Sequence, residues 1–149
     1  MFSDMFSTSI VYTMKLIITT LLFGLSGLGL IANSDGHISV ILYVFEGSDW
    51  CTNCARLEKK ILNDSAFQQQ INLLDIKLER IDFPQRKKLP SDVKEHNDRI
   101  AEKFEFDGVF PTLIIARQDT TQYRRIYYQN ENVEEMLSMI KDNLQKLYE

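Results

Sequence analysis

An apolar run, Ser39-Val40-Ile41-Leu42-Tyr43-Val44-Phe45, stops at Gly47-Ser48-Asp49 and is followed by Trp50-Cys51-Thr52-Asn53-Cys54 and an amphipathic helical pattern. The near-continuous β-branched and aromatic run predicts a strand buried on both faces, a pattern that belongs to the interior of a sheet with helices on either side. A strand that ends in a short loop and a helix places whatever lies at the junction at the edge of the sheet. Here the junction holds both cysteines of the chain.

A helix N-terminus favours a thiolate, because its unpaired N–H groups and the positive end of its dipole stabilise negative charge. Cys51 stands at that start. Cys54 lies one turn on, with Leu57 and Ile61 continuing its stripe at helical spacing, so Cys54 is expected to be the more buried sulfur. Such asymmetry suits thiol-disulfide exchange, in which Cys51 attacks a partner's disulfide and Cys54 releases the mixed disulfide. A lone Cys-x-x-Cys is also compatible with a structural pair or half of a zinc site. Zinc wants four ligands, and the two histidines, His37 and His96, have no finger-like spacing to the cysteines. No motif calls for a metal or an organic cofactor.

The remaining elements follow from periodicity. A helix over Cys51–Leu62 is succeeded by a cap at Asn63-Asp64-Ser65 and a second helical piece carrying Phe67, Ile71 and Leu74. Ile76–Phe83 reads as a strand ended by Pro84, and Pro90-Ser91 opens a polar helix running to about Phe104. Gly108–Thr112 is a turn into the strand Leu113–Ala116. A polar turn at Gln118–Thr121 leads to the strand Tyr123–Tyr128, and Val133, Met136, Leu137, Ile140, Leu144 and Leu147 mark one face of a final helix. The strand-helix-strand crossover implies parallel pairing and the short turn near Asp119 an antiparallel hairpin, which together give an α/β fold with a mixed central sheet flanked by helices on both faces.

At 149 residues, 44% apolar and 26% charged, the chain has one domain's worth of ordinary globular sequence. Its net charge of -4 excludes a general attraction to nucleic acid. The basic run Arg86-Lys87-Lys88 is the local exception and reads as a solvated surface segment. Met14-Lys15 followed by the uncharged stretch Leu16–Ala32 resembles a secretory signal peptide starting at Met14, cut after Ala32 or Gly29. Residues 1–32 are thus a signal peptide or an uncleaved anchor, 33–38 a linker and 39–149 the folded domain. Export places the dithiol in the periplasm or outside the cell, where disulfides persist. The membrane is a partner only if the segment stays uncut.

The order of elements, Trp-Cys-x-x-Cys after the first long strand and Pro-Thr before a later one resemble the thioredoxin superfamily. The similarity covers about Ser39 to Leu147. Phe45-Glu46-Gly47-Ser48-Asp49-Trp50-Cys51, Asp82-Phe83-Pro84, Lys87-Lys88-Leu89-Pro90, Asn97 and Phe110-Pro111-Thr112 are similar to secreted bacterial thioredoxin-like thiol-disulfide oxidoreductases. The resemblance implies Cys51 as attacking and Cys54 as resolving cysteine, Pro111 as a cis-proline beside them, and substrate contacts at Trp50 and Phe110. The implied partners are protein thiols and disulfides and a redox partner that recharges the pair. Two departures stand out. Phe45 occupies the position six residues before Cys51 where many thioredoxins carry a buried acid, and Glu46 points to the other face. Thr52-Asn53 replaces Gly-Pro and brings no cation to the thiolate, which argues against a strongly oxidising poise. A non-catalytic polypeptide-binding module on the same fold, and a thiol metal carrier, are the competing functions.

Overall fold

The computed structural model describes residues 39–119 and 122–149. The expected signal peptide, linker and part of the Gln118–Thr121 turn lie outside the described residues. Strand β1 (Val40–Glu46) runs through the interior of a four-stranded sheet. A helical crossover follows, made of α1 (Thr52–Leu57), a π-helical turn (Glu58–Leu62) and α2 (Ser65–Leu73), and returns the chain to β2 (Ile76–Asp82). Helix α3 (Ser91–Lys103), the hairpin β3 (Thr112–Arg117) and β4 (Tyr123–Tyr127), and α4 (Val133–Gln145) complete the fold.

The strand order is β2-β1-β3-β4, with β1 and β2 parallel and the other two pairings antiparallel. This is the mixed sheet the sequence predicts. Register runs from Val40 opposite Ile76 to Glu46 opposite Asp82, so the ends of β1 and β2 arrive together at the edge where the cysteines stand. Alternation along β1 sends Val40, Leu42 and Val44 to a mainly aliphatic core, which also holds Phe67 and Tyr128, shared with α1, α2 and α4. Tyr43 and Phe45 go the other way, into a core with Phe104 and Ile81 that α3 covers.

Local chemistry sets the helix starts. Asp64 caps α2 by accepting the N–H groups of Ala66 and Phe67 at 2.8 and 3.0 Å. Asn132 and Glu135 form a capping box on α4. The predicted helix over Cys51–Leu62 is not uniform, because from Glu58 the chain widens into a π turn in which Asn63 N–H reaches Glu58 O at 3.0 Å. In this wider turn Ile61 and Leu62 are both buried against the core. Likewise α4 ends at Gln145, yet Leu147, expected on its face, is fully buried beyond the helix end.

Candidate functional site

Cys51 is the N-cap of α1, with extended backbone that lets its side chain turn back over the first helical turn. Its Sγ accepts the N–H of Cys54 at 3.1 Å. The two cysteines form a disulfide. Cys51 is half-buried, whereas Cys54 is 2% exposed and also meets the N–H of Gly47 at 3.5 Å. The sulfur that a partner can reach is therefore the one at the helix terminus. Asn53, the inner residue, accepts from the guanidinium of Arg56 at 3.0 Å.

Trp50 lies against this pair. Its indole N–H donates to Phe83 O at 2.8 Å, and its ring meets Phe110 edge-on at 5.2 Å between centroids. Gly47 makes room for it, since a Cβ there would stand 2.3 Å from Cε2 of the indole. At 37% exposed, Trp50 offers one face to solvent. Phe110 is half-buried, Pro111 is buried, and the peptide bond between them is cis. Their loop is held by the Thr112 hydroxyl on Val109 O at 2.7 Å and by the Tyr127 hydroxyl on Asp107 at 2.6 Å. Gly108, at φ +79°, makes the turn. Behind Phe110 the rings of Phe83, Phe106 and Phe45 follow in contact, at 5.9 Å from Phe110 to Phe83, 5.0 Å from Phe110 to Phe106 and 4.5 Å from Phe106 to Phe45.

The acids near the dithiol in sequence are engaged elsewhere. Glu46 is 4% exposed on the aliphatic face, where both its oxygens take the Arg80 guanidinium, at 2.7 and 2.6 Å. Arg80 also pairs with Glu58 at 2.5 Å. The Arg80 pKa is raised, first by its hydrogen bond to Glu46 and despite partial burial, so the group is a permanent cation. Asp49 accepts the backbone N–H groups of Gln85, Arg86 and Lys87 at 2.9, 2.8 and 2.9 Å. Loss of solvation opposes ionisation of Asp49, but the three N–H groups and the Lys87 charge outweigh it and lower its pKa.

Asp82 completes the link between the loops. It accepts the N–H and hydroxyl of Ser48 at 2.9 and 2.7 Å and the Lys87 ammonium at 2.8 Å. Its burial would raise its pKa, yet those donors hold it below the ordinary carboxylate range. The sequence places Asp49 in the loop after the first strand, Lys87 in a basic run and Asp82 in a resembling motif, with nothing to join the three. The contacts of Asp82 with Ser48 and of Asp49 with Gln85, Arg86 and Lys87 span 34 to 38 residues, and local periodicity carries no trace of them.

No protein-family model matches the chain. It is 26% identical over 112 residues to the disulfide bond reductase DsbH of Chlamydia pneumoniae, a match covering 75% of this chain and 66% of that relative's length. Among solved structures, the DsbH oxidoreductase superposes with a TM-score of 0.67 at 25% identity, covering 72% of this chain and 74% of that one. Fold, dithiol position and these relatives converge on one assignment. The chain has a thioredoxin-like fold and is similar in sequence and structure to thiol-disulfide oxidoreductases of that superfamily.

Proposed function

We propose that this protein is exported and reduces or isomerises protein disulfides through a mixed disulfide on Cys51. The observation that carries the reading is the pairing of a reachable Cys51 sulfur, hydrogen-bonded by the Cys54 N–H at 3.1 Å, with a Cys54 sulfur that is 2% exposed. In the reduced protein the same N–H group and the helix terminus stabilise a Cys51 thiolate. That thiolate attacks one sulfur of the substrate disulfide, and the other leaves as a thiolate that takes up a proton. Cys54 then gives up its proton and attacks the Cys51 sulfur, expelling the second substrate sulfur. The substrate gains the two electrons and two protons that the dithiol loses, and a second reduced dithiol protein must recharge the pair. The name of the Chlamydia pneumoniae relative, a disulfide bond reductase, supports the reducing direction.

Substrate contact is assigned to Trp50, Phe110 and Pro111. The exposed indole face and the backbone of Phe110 suit an extended chain that adds a strand beside the dithiol. Export rests on the reading of Met14–Ala32 as a signal segment.

An equilibrium titration of the full-length protein against glutathione, followed by Trp50 fluorescence, tests the redox core of this reading. A reversible two-electron transition is expected, together with mixed disulfides accumulating on a Cys54→Ser variant. A pair that does not cycle, or a variant that traps nothing, overturns it. Equal partner capture by a Cys51→Ser/Cys54→Ser variant would favour a binding module.

A further inference from the structure

The run Arg86-Lys87-Lys88 is not a free surface segment. Its backbone is fastened to the loop before Cys51 by Asp49, two residues from the attacking sulfur, across separations of 36 to 38 residues. Lys87, itself exposed, is paired with Asp82 at 2.8 Å. Arg86 and Lys88 are exposed, and among the described residues no carboxylate pairs with either. Lys88 stands with Phe83, Pro84 and Leu89 on the wall of a cavity of about 370 Å³, where the acids Asp82 and Asp98 are paired with Lys87 and Lys94. Trp50 joins this segment to the Phe110 loop, bonded to Phe83 O on one side and packed against Phe110 on the other. The Asp49 bonds and the bond to Phe83 O thus tie the segment that carries the two cations to Trp50 and to the loop before Cys51.

We propose that Arg86 and Lys88 are specificity residues that bind carboxylates flanking the reacting disulfide, so that the favoured substrate is an acidic disulfide-bearing polypeptide. The inference rests on the oxidoreductase reading and names its substrate class. The charge pattern supports it, because a chain of net charge -4 repels acidic polypeptides in general and leaves this rim as a local attractor beside the dithiol. Asp49 is the positioning residue, since it fixes the backbone from which both cations project.

The test uses the pre-reduced full-length chain in single turnovers with three oxidised substrates. Two are disulfide peptides identical except for Glu or Lys at the flanking positions, each rate normalised to reduction by dithiothreitol. The third is neutral bis(2-hydroxyethyl) disulfide. The acidic peptide is expected to react about five- to tenfold faster than the lysine peptide at low ionic strength, with the ratio shrinking as salt is added. In an Arg86→Gln/Lys88→Gln variant the ratio falls to near one. A wild-type ratio of one or below, or a ratio that survives in the variant, overturns the proposal and leaves the oxidoreductase reading standing. Failure of the wild type on all three substrates, the neutral one included, ends both.

Discussion

The two faces of the sheet are built from different materials. One is mainly aliphatic, with Leu42, Val44, Leu57, Ile61, Ile115 and Ile140 closed under helical segments and Phe67 the one fully buried ring among its described residues. The other is aromatic, with Tyr43, Phe45 and Phe104 beneath α3 and with Phe83, Phe106 and Phe110 continuing toward solvent. Branched aliphatic side chains fill space closely but end within the core. Rings are long enough to hand contact from one to the next, and here the series Phe45, Phe106, Phe110 and Trp50 runs from a fully buried position to the surface beside the dithiol. The aliphatic face holds the fold, and the aromatic face holds the fold and shapes the site.

The sharpest way to break that contrast is to make one cavity on each side. Phe45→Ala and Ile115→Ala should each lower unfolding free energy by about 3–5 kcal/mol, since both residues are fully buried. Phe45→Ala should also shift Trp50 emission and slow turnover of a protein disulfide, whereas Ile115→Ala should leave emission in place. Equal optical effects from the two would sink the distinction. Next in size is Arg80→Met on the aliphatic side, which strands the Glu46 carboxylate. A loss of about 2–4 kcal/mol in chemical denaturation is expected, less than for a wholly enclosed pair because the Arg80 side chain is 40% exposed.

Gly47→Ala sharpens the comparison at the aromatic end. Its methyl would stand 2.3 Å from the indole, so the ring must move and give up Phe83 O, at about 1–3 kcal/mol. The altered ring position is readable as changed Trp50 fluorescence anisotropy, and unchanged anisotropy would count against the packing described. The smallest effect concerns the link between the loops. Asp82 has a folded pKa below its unfolded value, so its stabilisation is present above the ordinary carboxylate range near pH 4 and is lost as pH falls through the folded value. Asp82→Asn should cost about 0.5–1 kcal/mol at neutral pH and flatten the acid limb of the stability profile; an unaltered limb would remove Asp82 from the account.

Much of this architecture was legible because it is written in local patterns. The uninterrupted run to Phe45, the cap at Asn63-Asp64-Ser65, and the apolar stripe of the last helix each have a period or a capping chemistry that needs no tertiary knowledge. The relative burial of Cys51 and Cys54 followed from the same helical geometry. What stayed hidden depends on parallel pairing. Placing Glu46 opposite Asp82 and Val44 opposite Arg80 brings Arg80 under the first helical crossover and Asp82 under Ser48, contacts that a one-dimensional pattern cannot encode. The widening at Glu58 was equally silent, because Leu57, Ile61 and Leu62 read as an ordinary helical stripe with one residue to spare.

The bond from Cys54 N–H to Cys51 Sγ has a practical corollary for genetics. The nucleophile proposed above is also the residue that terminates the helix, so replacing it changes two properties at once. Serine at position 51 keeps an acceptor in the capping place, while alanine removes it, a difference of about 0.5–2 kcal/mol in similar helix starts. The two inactive alleles are therefore unequal controls. A phenotype shared by both reports lost chemistry, and one confined to the alanine allele reports a frayed helix.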